Sequence, residues 1–156
     1  KKAGVRMALH PDDPPIPEPL GGVAQICSTL EQFRRIFEVG PPADHGMVFC
    51  QGCMTELVGE GVYDVIEEFS GAGRIAWVHF RNVRGILPRF AEVFIDEGDV
   101  DMVKALRAYH ESGYEGVLIP DHTPRTNCSA PWHAGMACAL GYMRATMTAL
   151  DIPLDS

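Results

Sequence analysis

Ile75-Ala76-Trp77-Val78-His79 is an apolar run of strand length that ends on an imidazole. Three other stretches share its form. Val5-Arg6-Met7-Ala8-Leu9 runs into His10, Met47-Val48-Phe49 into Cys50, and Val117-Leu118-Ile119-Pro120 into Asp121. The intervals between them are roughly one strand-plus-helix unit, about 30 residues or more. If the four runs are neighbouring parallel strands, their carboxyl ends face one side. Two imidazoles, a thiolate and a carboxylate then converge as a plausible divalent-metal site. An enzyme active site is expected there, rather than a binding surface.

Helix signals fill the intervals. Pro11 to Pro19 is too rich in proline to be helical. Ser28-Thr29-Leu30-Glu31 reads as a capping box with Ser28 at the N-cap, followed by Leu30, Phe33 and Phe37 on one face. Gly40-Pro41-Pro42 stops that helix. Val62, Val65, Ile66 and Phe69 mark a second helix, closed by Gly71. The third strand leads through a long polar loop to a helix beginning near Asp99, with Val103, Leu106 and Tyr109 inward and Gly113 after it. A last helix carries Met136, Leu140, Met143 and Met147.

The order is therefore β-α-β-α-β-α-β-α, with strands apolar enough to be buried on both faces of a parallel sheet. A small open doubly wound domain fits, and so does half of a (β/α)8 barrel. A barrel places its active site at the carboxyl ends of several strands, where this chain carries its ligand types. A full barrel takes about 250 residues, so 156 residues supply only about the last four βα units. The whole chain, 1–156, is read as the C-terminal half of one TIM-barrel catalytic domain, a fragment beginning almost directly on a strand.

Composition narrows the class. Hydrophobic residues make up 46%, enough for a core, and the net charge is −8 with scattered Lys and Arg. A nucleic-acid binder would carry a basic stripe instead. No run approaches the 18 or so apolar residues of a membrane span, and no signal peptide opens the chain, so a cytoplasmic protein is expected. Five cysteines, an odd number without a secretory signal, argue against a disulfide framework. Cys50-Gln51-Gly52-Cys53 has the C-x-x-C form, but no second such pair completes a zinc ribbon. Cys50 is read as a ligand and Cys53 as a bystander.

The loops add chemistry. Asp12 and Asp13 follow His10 in a proline-stiffened segment, and turn or cap roles account for both. His79 is followed by Phe80-Arg81-Asn82-Val83-Arg84, which sets Arg81 and Asn82 beside the site as substrate-binding candidates. Arginine suits bidentate contact with a carboxylate. Asp121 and His122 are adjacent, and neighbouring side chains on extended chain point to opposite sides. Asp121 as ligand and His122 as the proton-transfer group is the better division. His45 and His110 are expected at the surface. The donor types alone accept Zn²⁺, Fe²⁺, Co²⁺ or Mn²⁺.

The same residues resemble the mannonate dehydratase family. The resemblance runs through Gly4-Val5-Arg6-Met7-Ala8-Leu9-His10-Pro11-Asp12-Asp13-Pro14-Pro15, Phe49-Cys50-Gln51-Gly52, and His79-Phe80-Arg81-Asn82-Val83-Arg84. It continues in Asp96-Glu97-Gly98-Asp99-Val100-Asp101-Met102, Pro120-Asp121-His122 and Gly141-Tyr142-Met143-Arg144. It implies a xylose-isomerase-like barrel and a divalent metal, Mn²⁺ first, held by His10, Cys50, His79 and Asp121. It also implies proton transfer by His122 and loss of water from D-mannonate in hexuronate breakdown. The expected partners are a small sugar acid, a second copy of the chain, or the missing half-barrel. The family carries a tyrosine after the Asp-His pair; here Thr123 to His133 has none, and Trp132-His133 stands near that place. A metal-dependent sugar isomerase or epimerase of the same barrel type, an inactive half-barrel, and a thioredoxin-like redox domain are the alternatives.

Overall fold

The computed structural model describes residues 3–154. The apolar runs form a four-stranded sheet from β1 (Met7–Leu9), β2 (His45–Cys50), β3 (Ile75–His79) and β6 (Leu118–Ile119). All its pairs are parallel and the strands lie side by side in chain order. Helices α1 (Leu30–Phe37), α2 (Gln51–Val58), α3 (Val62–Gly71), α4 (Met102–Glu111) and α5 (Pro131–Ala149) fill the connections. Among the described residues no helix is long and apolar enough to cross a membrane.

The core lies between the sheet and the helices. Phe37 meets Phe69 edge-on at 5.2 Å between centroids, and Tyr109 does the same with Phe49 at 5.9 Å. Val62, Val65, Ile66 and Phe69 are all buried, so the helical period foretold the inner face of α3. The double burial of the strands holds only in part. β2 is buried from Gly46 to Cys50, but Met7 on one edge strand is 67% exposed, and Trp77 and Ile119 are also open. Register explains the open face: Val48 is paired with Trp77, Cys50 with His79, and His79 with Ile119. The pleat therefore puts these residues on one face and Phe49 and Val78 on the other, against the helices.

Several local expectations shift. The first helix is capped by Thr29, not Ser28: Thr29 Oγ1 accepts from Gln32 N at 3.2 Å, and Gln32 Oε1 accepts from the N–H groups of both Thr29 and Ser28. Both S-x-x-E and T-x-x-Q fit the motif, and one amide oxygen serving two donors favours the later start. The fourth helix begins after Asp101, whose carboxylate accepts from Val103 N and Lys104 N. Its inner face is Met102, Ala105, Leu106 and Tyr109, with Val103 outside. In α5 the buried residues are Gly135, Ala139, Met143 and Thr146, while Leu140 is exposed.

Two elements differ more. A short helix, α2, follows directly on Cys50, before the element that begins at Val62. The long polar loop is folded into an antiparallel hairpin, β4 (Val83–Ile86) and β5 (Arg89–Glu92). Four-residue strands, the first carrying Gly85 and the two joined through Leu87-Pro88, carry almost no period-two signal. The hairpin turns Glu92 back toward the strand ends.

Candidate metal centre

The expected convergence is largely present. Cys50 and His79 are the last residues of β2 and β3, and His10 follows β1 directly. One donor atom from each of His10, Cys50 and His79 lies within 4.8 Å of the other two. His10 Nδ1 is 2.7 Å from the Pro11 carbonyl, which can only accept, so Nδ1 carries the proton and Nε2 offers its lone pair. That Nε2 is 3.2 Å from His79 Nδ1. Two nitrogens each about 2.1 Å from one ion stand about 3.0–3.4 Å apart, so the imidazole pair fits a shared cation. The fourth expected donor is nearby but less closely gathered: Asp121 Oδ1 is 3.6 Å from His79 Nδ1.

Asp121 and His122 do not point apart. Asp121 has a φ of 65°, in the left-handed region, which interrupts the extended alternation. Its Oδ2 consequently lies 3.2 Å from His122 Nε2, while His122 Nδ1 is 2.9 Å from Glu92 Oε2. His122 is thus held between two carboxylates at the rim of the donor group.

Arg81 and Asn82, expected as substrate contacts, are both buried. The Arg81 side chain is 3% exposed, and its guanidinium lies 3.2 Å from a carboxylate oxygen of each of Asp13, Glu56 and Glu92. Asp121 Oδ2 is 3.4 Å from its Nε. Arg81 organises protein carboxylates instead of reaching outward. Asn82 is also buried: Nδ2 donates to the carbonyls of Ile95 and Val100, and Oδ1 accepts from the N–H groups of Val83 and Val100. Its amide is spent on fixing the loop between the hairpin and α4.

Sequence reasoning missed Glu56, Glu92 and the neighbourhood of Cys53. Glu56 is fully buried on α2, with Oε2 unpartnered, and burial pushes its carboxyl up to about 7 against the opposing pull of Arg81. Cys53 is not an indifferent bystander. A hydrogen bond from Cys53 pulls the Cys50 thiol well down, against burial, and His10, His79 and Arg81 add to that pull. The same bond and its own burial push Cys53 up. The pair thus favours a Cys50 thiolate, the form that binds metal. Bonding to Cys50 likewise raises His10, against desolvation. Gly52 could have signalled part of this: a Cβ there would overlap the Arg81 guanidinium, 2.7 Å from Nε. Asp12 keeps the turn role expected of it, its Oδ2 accepting from Cys27 N at 2.6 Å. His45 Nε2 faces the Ile36 carbonyl at 3.0 Å, so it ties α1 to β2 and is not free at the surface, whereas His110 is exposed.

The family described as D-mannonate dehydratase (UxuA) matches residues 1–150. Mannonate dehydratase 2 of Halalkalibacterium halodurans is 35% identical over 124 residues, covering 78% of this chain and 35% of that protein. The mannonate dehydratase of Lactococcus lactis subsp. cremoris is 31% identical over 128 residues, with the same two coverages. The crystal structure of mannonate dehydratase from Streptococcus suis serotype2 superposes with a TM-score of 0.77 at 26% identity, covering 99% of this chain and 47% of that one. The chain spans about a third of the length of these curated relatives.

Proposed function

The chain belongs to the D-mannonate dehydratase family, and from that premise we propose that it supplies the latter half of a (β/α)8 barrel that dehydrates D-mannonate. The product would be 2-keto-3-deoxy-D-gluconate, within cytoplasmic breakdown of hexuronates. The carrying observation is the meeting of His10, Cys50 and His79 at the carboxyl ends of three adjacent parallel strands. The half-barrel reading is supported by the open face that bears Trp77 and Ile119, and by the outer edges of β1 and β6. Those edges are where the remaining strands would pair, whether from the rest of a longer chain or from a second copy.

A divalent metal, Mn²⁺ first and Fe²⁺, Co²⁺ or Zn²⁺ also compatible with the donors, would be held by His10, Cys50, His79 and Asp121. It would supply positive charge opposite the sugar-acid carboxylate as the C2 proton leaves. The remaining work falls to the chain. The C2 proton lies α to that carboxylate, so a positioned base must take it, and an acid must meet the departing 3-hydroxyl. His122 carries out one of these transfers, its ring held by Asp121 and Glu92. Arg81 keeps Asp13, Glu92 and Asp121 in place from beneath, as a positioning residue.

The test is keto-acid formation from D-mannonate with added Mn²⁺, in the protein that carries this chain and in its His122→Ala variant. Turnover should fall by about 10²–10⁴-fold. Mn²⁺ uptake, measured by equilibrium dialysis, should stay intact in that variant and be lost in His10→Ala. Undiminished turnover in His122→Ala would overturn the assignment.

A further inference from the structure

A second group of donors shares Cys50: one ligand atom each from Asp13, Cys50 and Cys53 lies within a mutual 4.8 Å. It is not a second cation site. Arg81 Nη2 sits 3.2 Å from Asp13 Oδ2 and 3.3 Å from Cys53 Sγ, so a cation is already built into it. What the group does hold is two reduced thiols side by side.

Their closeness follows from the chain path. Cys50 is the N-cap of α2, with extended backbone and a side chain that caps nothing, and Cys53 is the third helical residue. An N-cap side chain reaches over the residue three later, the contact a capping box uses. The Cα atoms of residues three apart at a helix start fall within the span of about 4.4–6.8 Å that a disulfide bridges. Side-chain rotation is therefore enough to join the sulfurs.

We propose that Cys50 and Cys53 form a reversible intrachain disulfide, made by a hydroperoxide and undone by a small thiol, that withdraws Cys50 from the metal-binding set. Cys50 sulfur attacks the terminal oxygen of the hydroperoxide. The O–O bond breaks, the alcohol or water leaves with one proton, and Cys50 becomes a sulfenic acid. Cys53 sulfur then attacks the Cys50 sulfur; the S–S bond forms, the S–O bond breaks, and the hydroxyl leaves as water with the Cys53 proton. Two thiols have lost two electrons and two protons, and the hydroperoxide has gained them. Both sulfurs are buried. His10 and His79, whose donor atoms lie beside Cys50, are partly exposed. The disulfide rests on the thiol geometry alone, whereas its effect on metal rests on the function proposed above.

The experiment uses a Cys128→Ser/Cys138→Ser background, which removes the exposed thiols. Metal-free and Mn²⁺-loaded samples are treated with hydrogen peroxide, alkylated and mapped by peptide mass. In metal-free protein the peptide carrying both residues should resist alkylation, weigh two hydrogens less, and recover with dithiothreitol. Cys53→Ser should instead leave a trappable sulfenic acid on Cys50. Prior Mn²⁺ should slow the disulfide by more than about tenfold, because the lone pair that attacks is engaged. Two alkylatable thiols after treatment would overturn the proposal. A disulfide forming equally fast with and without Mn²⁺ would overturn only its link to the metal, and with it Cys50's place among the ligands.

Discussion

Gly52→Ala sets two known effects against each other. In a helix, Gly→Ala is ordinarily stabilising by about 1 kcal/mol. At position 52 the new Cβ would overlap the Arg81 guanidinium, 2.7 Å from Nε. That guanidinium cannot swing away cheaply, because it is buried and fixed by Asp13, Glu56, Glu92 and Asp121. Overpacking costs about 1–3 kcal/mol, and separating a buried ion pair costs about 3–5 kcal/mol. Even partial displacement outweighs the propensity gain, leaving the variant about 1–3 kcal/mol less stable. For a domain of this size the melting temperature should drop by about 2–12 °C. Gly141→Ala is the matched control. It lies in α5, its added Cβ meets nothing within 4 Å, and it should gain about 0.5–1 kcal/mol. Thermal and urea unfolding of both variants decide the matter. If Gly52→Ala proves as stable as Gly141→Ala, Arg81 does not occupy the place assigned to it, and the carboxylate arrangement around it falls.

Glu56→Gln should flatten a pH dependence. The folded carboxyl titrates near 7 rather than near 4.5, so the native state binds the extra proton. Stability therefore falls as pH rises from about 4.5 through 7, and above 7 the loss is complete, about 3 kcal/mol. Glutamine retains the oxygen that accepts from Arg81, so urea midpoints at pH 8 should rise in the variant and match wild type at pH 4; an unchanged slope would refute this. Asn82→Ala strands four backbone groups and should cost about 2–4 kcal/mol. Hydrogen exchange should accelerate first at Val83 and Val100, whose N–H groups lose their acceptor.

Apolar length and helical period revealed the sheet order and the ends of the strands, and with them the meeting of His10, Cys50 and His79. Those signals are local, and burying a strand or a helix face leaves little choice of register. The surroundings of Arg81 were hidden because they depend on tertiary approach. Glu56 lies on a helix whose first six residues are all buried, so no polar face sets it apart. Glu92 reaches the site only through a hairpin with almost no pattern of its own. The pairing of Asp121 with His122 turned on a single φ of 65°, which no spacing rule foretells. Leu140 and Val103 point outward because small residues, Gly135 and Ala139 in α5 and Ala105 in α4, let those helices approach the core on other faces.

Charge sets the order of events at this site. One guanidinium, Arg81, faces the carboxylates of Asp13, Glu56, Glu92 and Asp121, with the Cys50 thiolate alongside. Raising Glu56 toward 7 removes part of one charge, and the remaining excess is still negative. A sugar-acid anion entering such a space meets repulsion, which falls off slowly where water is scarce. A divalent cation at His10, Cys50 and His79 offsets two of those charges and gives the carboxylate an attractive partner at the donor group. If the chain takes D-mannonate and Mn²⁺ as proposed, the sugar acid should bind only after the metal, and titration calorimetry on chelator-treated protein should show no heat until the metal is restored. Binding of the sugar acid to metal-free protein with undiminished affinity would refute the electrostatic argument.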